Sequence, residues 1–373
     1  MSENLTYLRE LFFSSFKNVN KETGNEIVDR YINISYLEVY RDHHWEYRKR
    51  TGQVVLIPNY TTGNCSVTRW DGTSGAENAA KTVAFSGATL TDNMRGRFLQ
   101  VGSSSYWHKI VYREGNTLYL DTPIVDVPTG SGLSFVIWKQ FYYIKSDADV
   151  VLDFDRWGTE RLGYRSDAEL TDQISNLATT GAPYLFSPYG IDPYEDIEYT
   201  TGTITVTSNS NLVSGTNTAW LSSGVDTGDI LQIGSVDYYI KRVETDTRII
   251  LFNTIEESVP ADSTYSIRKN NPLGFRFYNP SDDYRILPYS YLSKGYPLIH
   301  PADDRIQLPR EFIPAIISRA VYFRMKDVDD SRWGTMLQIY EAEMTGLRRK
   351  WRVVKPRYLQ FAPQVRQQMP GRG

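Results

Sequence analysis

A chain of 373 residues is long for one ordinary core, so two or three domains are expected. Charged residues at 23% and hydrophobic ones at 40% suit a water-soluble globular protein, and a formal net charge of −3 argues against a general nucleic-acid binder. One cysteine, Cys65, excludes an intramolecular disulfide framework and a cysteine-based zinc site.

The chain starts MSENLTYLRELFFSSF, with acids, no basic leader and no small-residue cleavage site. No secretory signal is therefore expected, and the protein is expected to be made in, and at first to stay in, a cytoplasm. No apolar run approaches the roughly 18–20 residues that span a bilayer. In LTYLRELFFSSF, Leu5, Leu8, Phe12 and Phe16 recur at spacings of three and four, which predicts a helix. NVNKETGN supplies turn and N-cap residues. NEIVDRYINISYLEVYRDHHWEYRK predicts a second helical run, with Val28, Ile32, Ser35 and Val39 on one stripe and Trp45 just beyond. From GQVVLIPNY the period falls to two. Between about Cys65 and Trp138, alternating strands are separated by Gly, Ser, Asp and Asn turns, and Cys65 is expected to be a half-buried strand residue.

Within that region GRFLQVG (96–102) returns as GDILQIG (228–234), with four of the seven positions identical. Sliding by 132 residues without a gap pairs 96–134 with 228–266 and gives 13 identities in 39, among them Gly96, Leu99, Gln100, Gly102, Tyr106, Lys109 and Val111. The same register sets Leu118, Tyr119 and Leu120 against Ile250, Leu251 and Phe252. Two copies of one compact β-module are predicted, at about 65–138 and 200–269, each a small barrel or sandwich of roughly five or six strands. Whether Leu99 or its neighbours Phe98 and Val101 face the core is open.

Segments 141–170 and 273–312 are aromatic-rich and punctuated by Pro, as β-hairpins would be. The C-terminal part is helical again. REFIPAIISRAVYFRMKDV carries Ile313, Ile316, Ala320 and Phe323 on one face, and DVDDS breaks it with an N-cap signal. SRWGTMLQIYEAEMTGLRRKW carries Trp333, Met336, Leu337, Tyr340, Met344, Leu347 and Trp351. This hairpin is expected to pack on the N-terminal helices or on a neighbouring subunit. Residues 344–373 hold eight basic side chains and no acid, and the terminal APQVRQQMPGRG has no apolar period and is expected to order only on binding. A basic tail on an acidic body reads either as a solvated tail or as an arm for an acidic groove or packaged nucleic acid. With 27 Tyr and 8 Trp, the chain is also well supplied with residues that suit sheet surfaces and protein interfaces.

Catalytic signals are sparse. Adjacent helical residues point about 100° apart, so His43 and His44 do not share a metal without further ligands, and His108 and His300 stand alone in sequence. No Gly-x-Ser-x-Gly elbow, Walker loop or His-Glu-x-x-His occurs. SDADVVLDFD (146–155) lacks the turn Gly and closing Glu of an EF-hand loop. Its acids alternate with Val, Leu and Phe, as on the solvent face of a strand, which disfavours a glycosidase pair; an ion near Asp147–Asp155 is left open. PADDR (301–305) reads as a turn before a helix, with Asp303 and Asp304 as capping groups. No cofactor and no enzymatic activity are expected.

The stretches outside the modules form an ordered set. YINISYLEVYRDHHWEY carries Asn33, Tyr36 and Trp45; FYYIKSDADVVLDF is a Tyr-containing strand; GAPYLF (181–186) is a Gly-x-Pro-x-aromatic element with Pro183 and Tyr184. FRFYNPSDDYRILPYSYLSKGYPL gives two strands with a Pro turn, and QLPREFIPAIISRAVYFRMKD a Leu-Pro start to an α-hairpin. In this order they resemble the head–tail adaptor (neck, or head-completion connector) proteins of tailed bacteriophages, over about 21–60, 139–195 and 271–352. The two β-modules depart from that pattern and look like decoration domains of phage virion proteins.

Pattern and resemblance together imply an α+β, multi-domain chain. An adaptor core over 1–62, 139–199 and 270–352 joins N- and C-terminal helices in a bundle beside β-hairpins; the inserted all-β modules occupy 63–138 and 200–269, and a basic arm 353–373. The resemblance implies a non-enzymatic structural protein of the virion neck, assembled in the host cytoplasm. Its dodecameric ring would join the phage portal protein to a tail or tail-completion protein and line the exit channel for DNA, without sequence-specific binding and without a membrane. Arg348, Arg349, Lys350, Trp351, Arg352, Lys355, Arg357 and Tyr358 are the expected portal-docking arm; Trp45, Tyr36, Pro183, Tyr184, Trp333 and Tyr340 are expected in core or subunit packing. The alternative of another class is a tail-fibre or baseplate protein that binds host surface glycans with its aromatic-rich β-modules.

Overall fold

The computed structural model describes residues 4–15, 25–43, 45–73, 77–91, 94–156, 160–166, 168–169, 181–189, 198–270, 273–298 and 306–351. The architecture is α+β. Apolar spacing places the first two helices as expected: α1 (Leu5–Ser15) buries Leu5, Leu8 and Phe12, and α2 (Asn25–Arg41) buries Val28, Ile32, Ser35, Tyr36, Val39 and Tyr40. The second run is shorter than its sequence pattern, because Trp45 leaves the helix. It is extended (φ −62°, ψ 138°) and fully buried, and its indole N–H donates to the Val39 carbonyl at 3.1 Å, satisfying an acceptor that the helix end leaves open. One 3₁₀ turn then leads into β1 (Lys49–Leu56).

The first module comprises β2 (Asn64–Val67), a single-turn α3 (Glu77–Ala80), β3 (Thr82–Ser86), β4 (Phe98–Val101), β5 (His108–Glu114), β6 (Thr117–Leu120), β7 (Gly130–Leu133) and β8 (Phe135–Trp138). Then follow β9 (Phe141–Tyr143), β10 (Ala148–Arg156), β11 (Glu160–Arg161), β12 (Gly163–Tyr164) and β13 (Leu185–Tyr189). The second module comprises β14 (Thr203–Val206), β15 (Ser210–Thr216), β16 (Ile230–Ile233), β17 (Val236–Thr245), β18 (Arg248–Ile255), β19 (Val259–Ser263) and β20 (Ser266–Arg268). Its seven strands run in the order β19-β14-β15-β18-β17-β16-β20, which repeats strand for strand the order β7-β2-β3-β6-β5-β4-β8 of the first. In each copy the last segment pairs by one half, β7 or β19, with the first strand and by the other half, β8 or β20, with the third strand, β4 or β16. The sheet thereby curls into a half-barrel.

The predicted gapless register holds only around β4 and β16. Phe98 and Leu99 pair with Lys109 and His108, whereas Ile230 and Leu231 pair with Tyr239 and Tyr238, so the offset falls from 132 to 130 across this hairpin. Leu118 and Leu120 then occupy the places of Ile249 and Leu251, an offset of 131. The matches at Tyr106, Lys109 and Val111 are therefore coincidental. The slip has a physical cause: Ser104 and Ser105 lengthen the first copy's turn, where the Ser104 hydroxyl (2.8 Å) and the Ser105 N–H (2.7 Å) both donate to Asp126. Leu99 and Val101 of the first copy and Leu231 of the second are the fully buried members of the repeated motif.

A second repeat escapes the gapless comparison: YTTG stands at 60–63 and again at 199–202. Tyr60 bridges to Ile137 and Tyr199 to Ile267, and their hydroxyls accept from the N–H of Thr89 and of Ala219, each at 2.7 Å. Gly63 (φ 103°) and Gly202 (φ 83°) lie against the carbonyls of Ser86 and Thr216, where a Cβ would come within 2.6 and 2.5 Å. The cores differ by a compensated exchange. Phe85 and Leu90 of the first copy correspond to Gly215 and Trp220 of the second, and a Cβ on Gly215 would meet the Trp220 ring at 2.7 Å. The indole fills the space that the Phe85 ring fills in the first copy.

Outside the modules, β21 (Gly274–Tyr278) and β22 (Arg285–Ser293) complete two four-stranded sheets, β1-β22-β10-β11 and β12-β13-β21-β9. Their shared core is centred on Phe154, whose ring lies 4.9 Å from Phe186, 5.0 Å from Phe275 and 5.0 Å from Phe277. The last described helices are α4 (Ile313–Asp327) and α5 (Trp333–Lys350). Residues of α1, α2, α4 and α5 share a separate apolar cluster with Trp45 and Phe312. Phe323, expected on the buried face of α4, is only half-buried; the buried stripe runs through Ile313, Ile316, Ala320, Val321 and Met325 instead.

Candidate functional site

The motif residues of α2 hold the segment that links β22 to α4. The Asn33 side-chain amide donates to the Leu298 carbonyl at 2.8 Å and accepts from the Leu298 N–H at 2.6 Å. The Tyr36 hydroxyl accepts from the Gln307 N–H at 3.3 Å. Sequence reasoning passed over Arg48, which is fully buried. It donates to the Ser293 carbonyl (3.0 and 2.9 Å), pairs with Asp149, and lies 4.9 Å over the Tyr40 ring.

The basic turn at the end of α5 stays exposed but is tied by ion pairs to neighbouring segments. Arg348 grips Asp42 with two guanidinium nitrogens (2.8 to 3.2 Å), and Lys350 pairs with Glu311 at 2.7 Å. Trp351 donates to Glu311 at 3.2 Å and packs on Tyr47 and Phe312 at 5.9 and 5.8 Å; Trp45 meets Phe312 at 5.2 Å. Trp45, Tyr47, Phe312 and Trp351 thus form one aromatic nest that ties both helix pairs. Arg349 is exposed beside it. Arg352, Lys355, Arg357, Tyr358 and the segment 353–373 lie outside the described residues, as do His44, His300 and PADDR.

The α5 stripe is packed most deeply in its C-terminal half, while Met336 and Tyr340 of its N-terminal half pack on the same core only in part. Met344 and Leu347 are buried, while Trp333 is 39% and Ile339 42% exposed, and Met336, Leu337 and Tyr340 are half-buried. Tyr340 sits under Arg319 at 4.9 Å, and Trp333 meets the edge of Tyr322 at 6.1 Å. Pro183 is buried just before β13, and Tyr184 beside it is 44% exposed against Tyr278 at 5.3 Å.

The acid-rich segment 146–155 is not simply a solvent face. Asp147 is buried and accepts twice from the Tyr291 hydroxyl (2.9 and 3.0 Å); burial pushes its carboxyl up to about 6. Asp149 faces Arg48 instead, so these two acids do not converge on one ion. Among the described residues no group of three or more His, Cys, Asp or Glu could hold a metal. His108 is buried, with its pKa lowered by desolvation. Cys65 is fully rather than half-buried, and burial pushes its thiol up to about 11.

The second module docks here through polar groups. Asp229 of GDILQIG, 1% exposed, accepts from the Ser146 hydroxyl (2.5 Å), Lys269 (2.8 Å) and the Asp226 N–H (2.8 Å). Gly228 (φ 88°) lets the module backbone approach so closely that a Cβ would lie 2.3 Å from the Asp147 nitrogen. The equivalent first-module residues are Gly96 and Arg97, so the acid belongs to the second copy alone. No helix among the described residues is long and apolar enough to cross a membrane. The sequence matches no protein-family model, and no curated protein aligns with it significantly.

Proposed function

We propose that this protein is a structural component of a tailed-phage neck, whose subunits form a ring joining the portal protein to the tail or a tail-completion protein around exiting DNA. The observation that carries the reading is the half-exposed apolar stripe of α5, from Trp333 to Tyr340, beside the basic turn Arg348–Trp351. An apolar helix face of this kind calls for a protein partner, and a heterologous contact repeated around an axis closes into a ring. In this reading α1, α2, α4 and α5 form the helical bundle of the adaptor core, and the modules add bulk without interrupting it. The helical seam made by Asn33, Tyr36 and Trp45 supports it further, since those are the residues on which the resemblance rests.

The basic C-terminal stretch, beginning at the Trp351 nest, is the portal-docking arm. Two experiments test the assignment. Native mass spectrometry of the chain with its phage's portal protein should show a closed ring of about twelve copies, as portal symmetry requires; a chain that stays monomeric on added portal excludes the reading. Deleting 353–373 should leave DNA-filled heads without tails, and normal tailed particles would remove the arm.

A glycan-binding tail-fibre or baseplate role has its own supporting observation. Tyr106 and Tyr112 of the first module are 56% and 54% exposed, and Tyr112 lies 5.6 Å from Tyr119. Saturable binding to host surface glycans that is lost in Tyr112→Ala would favour it.

A further inference from the structure

A cleft of about 820 Å³ opens between the second module and the end of the β1–β22 sheet. Arg50, Lys145, Lys241 and Lys294 line it, against one lining carboxylate, Asp147, which is engaged by Tyr291. Lys241 makes no ion pair among the described residues. Arg50 donates to the carbonyls of Tyr47 and Lys49 and likewise has no carboxylate partner there. Lys145 has a long pair with Asp226 at 3.6 Å. On the same wall Tyr296 is only 5% exposed, and its hydroxyl has no hydrogen-bond partner. A buried hydroxyl in that state costs stability, so its presence beside a cationic cleft points to a ligand acceptor. Its ring stacks on Phe252 at 4.3 Å, giving the cleft an apolar aromatic wall.

We propose that this cleft binds a phosphate-bearing small molecule, held by Arg50, Lys145 and Lys241 and by the Tyr296 hydroxyl. Several cations around one volume match a multiply charged oxyanion better than a single carboxylate. The cleft volume suits a ligand of nucleotide size rather than a bare ion. A DNA backbone presents the same chemistry, but a cleft of about 820 Å³ has room for a small molecule and not for a duplex. Because the walls come from the module and from the sheets, an occupant bridges the docking seam and should raise the melting temperature. The inference is independent of the neck assignment.

The test is calorimetric titration of the full chain at fixed ionic strength with AMP, with pyrophosphate and with a short DNA duplex. AMP or pyrophosphate should bind saturably, one per chain, and more weakly as sodium chloride is added. Lys241→Gln should weaken binding about tenfold. Tyr296→Phe should weaken it about fivefold while leaving the melting temperature of the unliganded protein unchanged or higher, because it removes an unpartnered buried group. The proposal is overturned if neither small probe binds saturably, if both variants titrate like the parent, or if only the duplex binds.

Discussion

Asp147 shows what burial does to a residue whose sequence neighbourhood suggests a solvent face. Its carboxyl is shifted from 3.8 to about 6, chiefly by desolvation, with the Tyr291 hydroxyl opposing the shift. The folded chain therefore holds a proton there that the unfolded chain releases between about pH 4 and pH 6. The stability this proton confers is present below pH 4 and lost as pH rises through 6, a term of about 3 kcal/mol at most. Asp147→Asn keeps the shape and removes the charge. The variant should be more stable than the parent by about 1–3 kcal/mol at pH 7.5 and indistinguishable near pH 4, as read by urea unfolding at both values. Equal stabilities at pH 7.5 would mean that the carboxylate is well solvated. None of this was legible in SDADVVLDFD, because burial comes from Tyr291, Gly228 and Asp229, which are remote in sequence.

At the scale of elements, the exchange of Phe85 and Leu90 for Gly215 and Trp220 makes the two modules a natural pair of core solutions. Trp220→Leu alone leaves a cavity and should cost about 3–5 kcal/mol, while Gly215→Phe alone collides with the indole. A Cβ at 215 would also lie 2.3 Å from the Thr218 hydroxyl, where the first copy has Ala88, so the double-mutant cycle belongs in a Thr218→Ala background. There the two substitutions rebuild the first module's packing and should couple favourably by about 2 kcal/mol or more in chemical unfolding. Strict additivity would show that the two cores are filled independently. The four longer helices were legible because each buries a stripe at the 3.6-residue period. The point where α2 ends was not, because Trp45 turns inward to a carbonyl that its own helix leaves open. The second repeat, YTTG, stood in plain view but at an offset of 139, which a single gapless slide cannot find.

For the whole molecule, the decisive surface is the N-terminal half of α5. Trp333 and Ile339 are 39% and 42% exposed, so replacing both by Ser should cost the monomer about 3–5 kcal/mol, and circular dichroism must show the variant folded. Ring assembly on the portal should nevertheless be lost, which sedimentation of the mixture would read directly. Intact rings from the doubly substituted chain would move the subunit contact elsewhere.

Periodicity and local composition determined by themselves that this chain has helices at both ends, two related β-modules and an α+β architecture. These properties depend on residues a few positions apart. The ladder register of the modules, the tying of Arg348 and Trp351 to neighbouring segments, the burial of Arg48, Asp147 and Asp229, and the cleft at Tyr296 were decided only in the tertiary structure. Each depends on groups from distant segments meeting, and for Arg48, Asp147 and Asp229 they meet in a low-dielectric interior, where pairing and desolvation outweigh the character a residue has in its own stretch of chain.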